Sequence, residues 1–465
     1  MSITEQGAGA VDAADGEASP SSPEGTEGTA AGKRLSRVTA RLTLAAGSVA
    51  LVGIVTGPLQ ARALGPAGRG ELAAVMTPLG FLPTLASLGL GTYVERMVAR
   101  GKRPGVALGS LLPVGLAIGF VIAALSPLIA GALANGRAVV YTMLIVGLVL
   151  FPLSAFILTL LNVSIGLEDW RPVTTCRVIP PAAQLVFIPA LFFMHMLTVT
   201  SAAIVSFAAS MTMLVPLWGT WRRCRPLGFE LTELGTGVAY GAKCWVGGLS
   251  SLANSRLDQL LMVALVSSRV LGLYAIAVTL ATFFISPFVS AITTAAGPRF
   301  SRGADELAQR LCRTSLYGAM VVGLGVAVLS PFVLRYVFGP AFSPALPMTL
   351  ILLVGTIPSA AGGLLSVSIS ADGHPGFSAR GETLALIVTV AGLAVALPTL
   401  GGVGAALVSV LAYTVQFAYM LRTAKRIHGG RYSDYLLPTS DDRHRLTALL
   451  RRRAMRFPTL NLARS

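Results

Sequence analysis

The chain has 465 residues, of which 54% are hydrophobic and 12% are charged, and its mean hydropathy is +0.73. Soluble domains carry about 25% charged residues even when their cores are large, so this composition excludes a soluble globular protein. The formal net charge of +16 does not indicate a nucleic-acid-binding protein, because the basic residues form short clusters between apolar stretches and not one basic domain.

The first segment of the chain is polar and acidic. Residues 1–32 contain six acidic residues and no basic residue, and they are rich in Gly, Ala, Ser and Pro. Such a segment cannot bury enough apolar surface to fold. It also lacks the basic start and the apolar run of a cleavable signal peptide. We therefore expect residues 1–34 to be a disordered cytoplasmic tail.

From Lys33 onward, apolar stretches long enough to cross about 30 Å of hydrocarbon alternate with short polar turns. This pattern predicts an all-α polytopic membrane protein with about twelve transmembrane helices. The predicted spans lie at 40–64, 70–98, 105–133, 138–166, 173–196, 199–221, 240–266, 270–298, 309–338, 343–370, 378–398 and 401–424.

Basic residues are concentrated in alternate loops of this pattern. The opposite loops hold only five basic residues, which are Arg62, Arg69, Arg137, Arg269 and Arg335. Because cytoplasmic loops carry an excess of Lys and Arg, we expect a multi-pass protein of the cell membrane with both termini in the cytoplasm. Residues 428–465 are expected to be a basic cytoplasmic tail, in part an amphipathic helix that rests on the anionic leaflet.

The two halves of the chain resemble each other at a nearly constant offset. GELAAVMTPLGF at 70–81 aligns with GLYAIAVTLATF at 272–283, and LNVSI at 161–165 aligns with LSVSI at 365–369. Six spans in each half would give both halves the same orientation, as in a parallel repeat about an axis along the membrane normal. We expect two six-helix lobes that rock around a central cavity. The lobes are residues 35–225 and 226–427.

Polar residues inside the spans are the candidate site. Charges at membrane depth are costly and usually line a cavity or a pathway. Span 7 carries a stripe of four polar residues at helical spacing, which are Ser251, Asn254, Ser255 and Asp258. Arg256 and Gln259 project from another part of the same helix. The sequence leaves open whether this group faces a cavity or forms a fixed structural ion pair.

Span 1 carries a second polar group. Thr56 and Gln60 lie on one face, and Arg62 lies at the outer end. Arg62 either meets a phosphate in an outward-facing cavity or extends to the membrane interface. Gly53 and Gly57 are expected to allow close helix packing.

Other reactive residues indicate no chemistry. Four cysteines stand far apart with no paired spacing, so no metal site and no cofactor is expected. Acidic residues and a histidine occupy corresponding turns after spans 4 and 10, where gating or pairing with basic neighbours is expected. These residues are Glu168, Asp169, Asp372 and His374.

Three stretches carry a family resemblance, namely ARALGPAGRGELAAV, NSRLDQLLMVALVSSRVLGLYAIAV and LNVSIGLEDWRP. They resemble Wzx-type polysaccharide flippases of the multidrug/oligosaccharidyl-lipid/polysaccharide (MATE-like) exporter superfamily, over nearly all of the chain except its tails. The resemblance implies two six-helix lobes in a V around a central cavity. It also implies that an undecaprenyl-pyrophosphate-linked oligosaccharide moves from the cytoplasmic to the outer leaflet by alternating access.

This resemblance gives the polar residues roles. Since Arg pairs well with phosphate oxygens, Arg62 and Arg256 are candidate substrate ligands, together with Gln60 and Asn254. Asp258 is a candidate counter-ion or coupling carboxylate for H⁺ or Na⁺. The expected partners are the lipid-linked oligosaccharide, the bilayer and, in the same biosynthetic process, a polysaccharide polymerase and glycosyltransferases.

Several alternatives stay open. A cation-coupled multidrug antiporter of the same superfamily would need membrane carboxylates, and the region between Arg41 and Arg62 has none, although Asp258 remains. A lipid II flippase would have fourteen spans. An enzyme is not expected, because the external loops are short and nearly free of acids and histidines. A scaffold that transports nothing would not explain the polar cluster in span 7.

Overall fold

The protein is helical throughout the part of the chain that the computed structural model describes, residues 24–300 and 305–438. The chain divides after Leu44 into two compact units, and the cavities and helix contacts of interest belong to the unit that begins at Ala45. Helices α1 to α16 are, in order, Glu24–Ala86, Leu90–Ala99, Pro104–Ala124, Ser126–Ala134, Ala138–Val149, Phe151–Gly166, Trp170–Phe193, Val199–Met211, Leu214–Arg223, Leu231–Leu265, Ser268–Phe283, Ile285–Phe300, Asp305–Phe332, Leu346–Ala371, Pro375–His428 and Tyr432–Leu436. A π-helical turn, Val333–Phe338, and a 3₁₀ turn, Pro340–Ala345, follow α13.

The two longest helices are each interrupted at one glycine. In α1 the break is at Gly65, with φ 66° and ψ 179°, and in α15 it is at Gly401, with φ 54° and ψ −132°. Glycine adopts these left-handed conformations without the steric cost that a Cβ would add. The break at Gly65 falls between two predicted spans, and the break at Gly401 falls on the first residue of the last predicted span.

By length and composition, seven of the described helical segments could cross a membrane, or up to nine if two bent pairs each count as one span. This number is below the twelve spans that the sequence predicts. One reason is that the 54 residues of α15 join two predicted spans into one helix.

The ends of the chain are only partly described. Helix α1 begins at Glu24, inside the segment expected to be disordered, because helix-forming Ala, Lys and Arg residues precede its first apolar stretch. Residues 1–23 and 439–465 lie outside the described residues, and so does the amphipathic tail helix that the sequence predicts there.

Large apolar side chains lie on the surface of many helices. Phe193, Val215 and Val395 are 74–76% exposed. In water each would forgo about 1.5–3 kcal/mol of burial free energy, whereas hydrocarbon solvates such side chains as well as a protein core does. The chain is therefore a multi-pass membrane protein.

The largest buried apolar cluster joins the two halves of the chain. It contains Leu72 and Val75 of α1 together with Leu271, Tyr274 and Ile276 of α11. Buried residues of α4, α5 and α10 extend the cluster on both sides. Polar cavities lie beside this junction.

Candidate functional site

The junction between the halves is closed by a contact between two glycines of the repeat. A Cβ built on Gly70 of α1 would lie 1.7 Å from the carbonyl oxygen of Ser268 and 2.9 Å from the nitrogen of Gly272. A Cβ built on Gly272 of α11 would lie 1.9 Å from the carbonyl oxygen of Pro66 and 2.8 Å from the nitrogen of Gly70. The two backbones thus approach too closely for any other residue at either position.

The first half of the chain contains a polar cavity of about 500 Å³ next to this contact. Helix α1 contributes residues on both sides of the break at Gly65, and α5, α6, α7 and α8 complete the wall. Its polar side chains are Thr56, Gln60, Arg69, Ser154, Gln184, Ser206, Ser210 and, from the second half, Thr279. Arg69 is the charged member, and no acidic residue is among the described residues that line this cavity.

Arg69 is held by one neutral partner. Its Nη1 donates a hydrogen bond to Oε1 of Gln60 at 2.7 Å, and its Nε is buried without a hydrogen-bond partner in the described structure. A half-buried guanidinium with an unused donor, and with no carboxylate among the described residues that line its cavity, is unfavourable unless an anion completes it. The geometry therefore suits a ligand with phosphate or carboxylate oxygens.

The predicted ligand Gln60 thus lines the cavity, and the predicted ligand Arg62 does not. Nε of Arg62 donates to the carbonyl oxygen of Val337 at 2.9 Å, and Nη2 donates to the carbonyl oxygen of Tyr336. Arg62 is exposed and lies at the junction of the halves, outside the described cavities.

Two of the predicted site residues in α10 are not described at the level of side chains. The backbone at positions 254 and 256 is helical, but the side chains of Asn254 and Arg256 lie outside the described part of the structure. Their roles as substrate ligands remain predictions.

Asp258, the remaining predicted residue of α10, lines a separate cavity in the second half. This cavity has a volume of about 280 Å³ and is bordered by α10, α11, α14 and α15. Asp258 is 7% exposed, and its Oδ2 accepts a hydrogen bond from the hydroxyl of Tyr274. A second carboxylate, Glu382 of α15, lies in the same wall together with Tyr413 and Gln416. Two carboxylates at one polar cavity suit a proton or a small cation.

The two polar cavities occupy equivalent places in the repeat. At the offset of 202 residues that matches Gly70 to Gly272, Thr56 of the first cavity corresponds to Asp258 of the second. Arg69 corresponds to the buried Leu271. The two related cavities therefore carry opposite charge, with an arginine in the first and carboxylates in the second, although these charged residues do not align with each other.

A third cavity adjoins the first and is mostly apolar. Its volume is about 450 Å³, and it shares Gly80, Pro83 and Phe151 with the first cavity.

Gly53 and Gly57 were expected to allow close helix packing, which is wrong: a Cβ built on either meets no described atom within 4 Å. They leave open space because the first cavity, and not a neighbouring helix, lies against them.

A polar cluster attaches the start of α10 to the first half of the chain. The hydroxyl of Tyr93 donates to Oε2 of Glu233 at 2.7 Å, and Nζ of Lys102 lies 3.0 Å from Glu233 and 3.2 Å from Glu230. The hydrogen bond from Tyr93, followed by that from Lys102, lowers the pKa of Glu233 below its ordinary value. Hydrogen bonds to Glu233 and then Glu230 raise the pKa of Lys102.

Acidic residues in the corresponding turns pair with basic neighbours. Asp169 Oδ2 lies 2.8 Å from Nη1 of Arg223, at the end of α9. Asp372 Oδ2 lies 3.1 Å from Nε2 of His428, at the end of α15. The first pair ties the turn after α6 to the end of α9, and the second ties the turn after α14 to the end of α15.

The described side chains contain no group of three or more His, Cys, Asp or Glu residues placed to hold a metal ion. Cys176, Cys224 and Cys312 are buried free thiols.

Sequence reasoning overlooked two residues that line the polar cavities and one residue that binds a lining carboxylate. It placed Arg69 in an external loop. Arg69 aligns with the apolar Leu271 in the other repeat, and a charge at the place of an apolar residue indicates a functional position. It also passed over Glu382, an acid inside a predicted span, and Tyr274, whose partner lies sixteen residues away. The first two could have been found from charge at membrane depth.

The fold is similar to those of known transporters. A lipid II flippase MurJ in an inward closed conformation has a TM-score of 0.68 and 13% identity, over 90% of this chain and 93% of that chain. An inward-facing multidrug resistance MATE family transporter of the MOP superfamily has a TM-score of 0.65 and 16% identity, over 83% and 98% of the two chains. A MOP superfamily transporter from Pyrococcus furiosus has a TM-score of 0.56 and 16% identity, over 84% and 95%.

No protein with a curated description is significantly similar in sequence. The sequence of residues 35–304, more than half of the chain, matches the family described as "polysaccharide biosynthesis protein". Together with the MATE-like and MurJ-like fold, this match places the chain in the polysaccharide biosynthesis protein family.

Proposed function

We propose that the protein flips a lipid-linked oligosaccharide, of the undecaprenyl-pyrophosphate type, from the cytoplasmic to the outer leaflet for polysaccharide biosynthesis. The observation that carries this proposal is the guanidinium of Arg69, which lines a polar cavity with an unused donor and no acidic neighbour among the described lining residues. A pyrophosphate would supply the missing charge and acceptors through charge-assisted hydrogen bonds.

The rest of the cavity wall suits a sugar. Gln184, Ser154, Ser206 and Thr279 supply neutral donors and acceptors without a fixed charge. Sugar hydroxyl groups exchange hydrogen bonds with water for hydrogen bonds with such side chains at small net cost. The adjoining apolar cavity would accommodate the part of the substrate nearest the lipid. The long isoprenoid chain would stay in the bilayer.

Alternating access would use the two halves as six-helix lobes, with twelve spans and both termini in the cytoplasm. Under this arrangement the Gly70–Gly272 contact is at the external end, and the substrate enters the first cavity from the cytoplasm. Asn254 and Arg256 would face the same pathway. A polysaccharide polymerase and glycosyltransferases would be its functional partners.

Asp258 and Glu382 would couple transport to H⁺ or Na⁺. Their cavity holds two carboxylates that binding of a cation would neutralise, and it lies on the helices that join the two halves. Coupling would then depend on Asp258 and not on Arg69.

The experiment is leaflet-specific accessibility of a lipid-linked oligosaccharide in proteoliposomes that contain the full chain. Replacing Arg69 removes one charge-assisted interaction, so Arg69→Met should slow translocation by roughly 10- to 100-fold, and Arg69→Lys should slow it less. Arg269→Met is the matched control, because Arg269 is exposed and lines none of the described cavities. Equal rates for Arg69→Met and Arg269→Met would contradict the proposal.

A cation-coupled drug antiporter is the second candidate, and the acidic cavity of Asp258 and Glu382 favours it. If wild-type protein leaves the lipid-linked oligosaccharide in place but exports small organic cations against a proton or sodium gradient, the antiporter replaces the flippase. In that case Asp258→Asn should abolish export, and Arg69→Met should affect it little.

A further inference from the structure

Arg62 of α1 bridges the two halves of the chain. It donates from Nε to the carbonyl oxygen of Val337 at 2.9 Å and from Nη2 to the carbonyl oxygen of Tyr336. Both acceptors lie in the last turn of the π-helical segment Val333–Phe338. The guanidinium of Arg62 therefore binds the C-terminal end of a helix that belongs to the other half.

Arg137 makes the same kind of bridge from the first half to α10. Its Nη2 donates to the carbonyl oxygen of Val263 at 2.6 Å, and its Nη1 donates to Oγ of Ser268 at 3.1 Å. Its Nε donates to the carbonyl oxygen of Ala134, at the end of α4, at 2.7 Å. One side chain thus holds the C-terminal ends of two helices from different halves.

The chemistry of these contacts is specific. The last carbonyl groups of a helix lack partners within the helix and carry the negative end of its dipole. A guanidinium offers five donors in a fixed plane, so it can bind two or three such carbonyls at once, which an ammonium group cannot do in the same geometry. Both arginines use this property across the junction of the halves.

The position of the contacts relates them to transport. Arg62 and Arg137 come from two of the loops that the sequence places outside the membrane, and Ser268, which Arg137 contacts, also supplies the carbonyl that lies against Gly70. We propose that Arg62 and Arg137 are two latches that hold the external end closed, and that the protein opens outward only when both guanidinium groups leave their helix ends. Arg62 then acts in the gate and not as a substrate ligand.

This inference rests on the alternating-access part of the proposed function, but its test reads accessibility and not lipid movement. A single cysteine replaces Ser206, which lines the first cavity, in a full-length chain whose four natural cysteines are replaced. The protein is placed in sealed vesicles, and a membrane-impermeant maleimide is added to one face at a time. A separate chain carries a cysteine in place of the exposed Arg269. Its labelling reports which face of the vesicle holds the external end of the protein.

The variant is Arg62→Met with Arg137→Met, which keeps an unbranched stem at each position and removes the guanidinium with all its donors. Labelling of the cavity cysteine from the external face should rise about tenfold, and labelling from the opposite face should fall. The reason is that the population shifts from the state closed at the external end to the state closed at the opposite end. The matched control is Arg335→Met, which removes an external charge that stacks on Tyr336 in its own helical segment. This control should label as wild type does.

An unchanged labelling rate from the external face would overturn the proposal, and so would an equal rise in labelling from both faces. If the double variant is not recovered as a folded protein, each single variant is tested by the same criterion. Labelling from the external face is then expected to rise about threefold for each latch that is removed. A failure of the flippase assay with a normal latch response would reject the substrate and leave the gate standing.

Discussion

Gly70 and Gly272 occupy equivalent positions in the two repeats and lie against each other in the structure. A Cβ on either glycine would reach the backbone nitrogen of the other at 2.8–2.9 Å, and it would come still closer to a carbonyl of the opposing turn. The contact is reciprocal, as expected where two related segments meet about a local twofold axis. The junction of the halves is therefore built from the part of the sequence that they share.

Gly70→Ala should prevent this junction from closing. The added Cβ would overlap the carbonyl oxygen of Ser268, and a backbone cannot move aside as cheaply as a flexible side chain. We expect a loss of about 1–3 kcal/mol in the free energy of unfolding, measured by thermal and chemical unfolding in detergent. Gly131→Ala in α4 is the control, because no described atom lies within 4 Å of its Cβ position. Equal stability of the two variants would show that the contact does not form.

Tyr274→Phe should destabilise the second half. The hydroxyl of Tyr274 is fully buried and donates to the carboxylate of Asp258, with Ser409 Oγ at 3.3 Å on its other side. A hydrogen bond to a charged group contributes about 1.5–3 kcal/mol, so unfolding should become easier by roughly that amount. Asp258→Asn keeps an acceptor for Tyr274 and should cost less. A Tyr274→Phe protein as stable as the wild type would contradict the contact.

The polar cluster at the start of α10 should give a pH-dependent stability. Its hydrogen bonds lower the pKa of Glu233 from the ordinary 4.5, so the contribution of Glu233 is complete above pH 4.5 and is lost as the pH falls through the lowered value. The pKa of Lys102 is raised from 10.5, so its contribution is complete below pH 10.5 and is lost as the pH rises through the raised value.

Glu233→Gln should therefore lower Tm at pH 7 by about 1–3 °C, and this difference should shrink as the pH falls below 4.5. The measurement is Tm of both proteins in detergent from pH 7 down to about pH 3.5. Glu168→Gln, at an exposed turn, should show no such pH-dependent difference. A constant Tm difference at every pH would contradict an ionic role for Glu233.

The two turn pairs should differ in their contribution to stability. Arg223 and Asp169 have side chains that are 64% and 25% exposed, whereas His428 and Asp372 are 3% and 22% exposed. Water screens the first pair, so Arg223→Ala should cost less than about 1 kcal/mol. His428→Ala should cost about 1–3 kcal/mol, since it leaves a cavity and a partly buried carboxylate. Equal unfolding free energies of the two variants would contradict this ranking.

Much of the architecture follows from local features of the sequence. Apolar stretches between short polar turns determine that the chain is helical and lies in a membrane, since only helices and closed barrels satisfy the backbone there. The repeat, with Gly70 at the place of Gly272, indicates two related halves. Asp258 stands out as a charge at membrane depth, and the structure places it in a cavity wall.

What the sequence could not determine is which distant side chains meet. In one straight helix the backbones of Gln60 and Arg69 would be about 13.5 Å apart along the axis. With the break at Gly65 between them, Nη1 of Arg69 lies 2.7 Å from Oε1 of Gln60. The second cavity likewise collects Asp258 and Glu382 from helices more than a hundred residues apart. Arg62, a charged residue near polar neighbours in sequence, binds the end of a helix 274 residues away. Sequence periodicity fixes the faces of single helices, whereas breaks at glycine and the packing between helices decide which charges share a cavity.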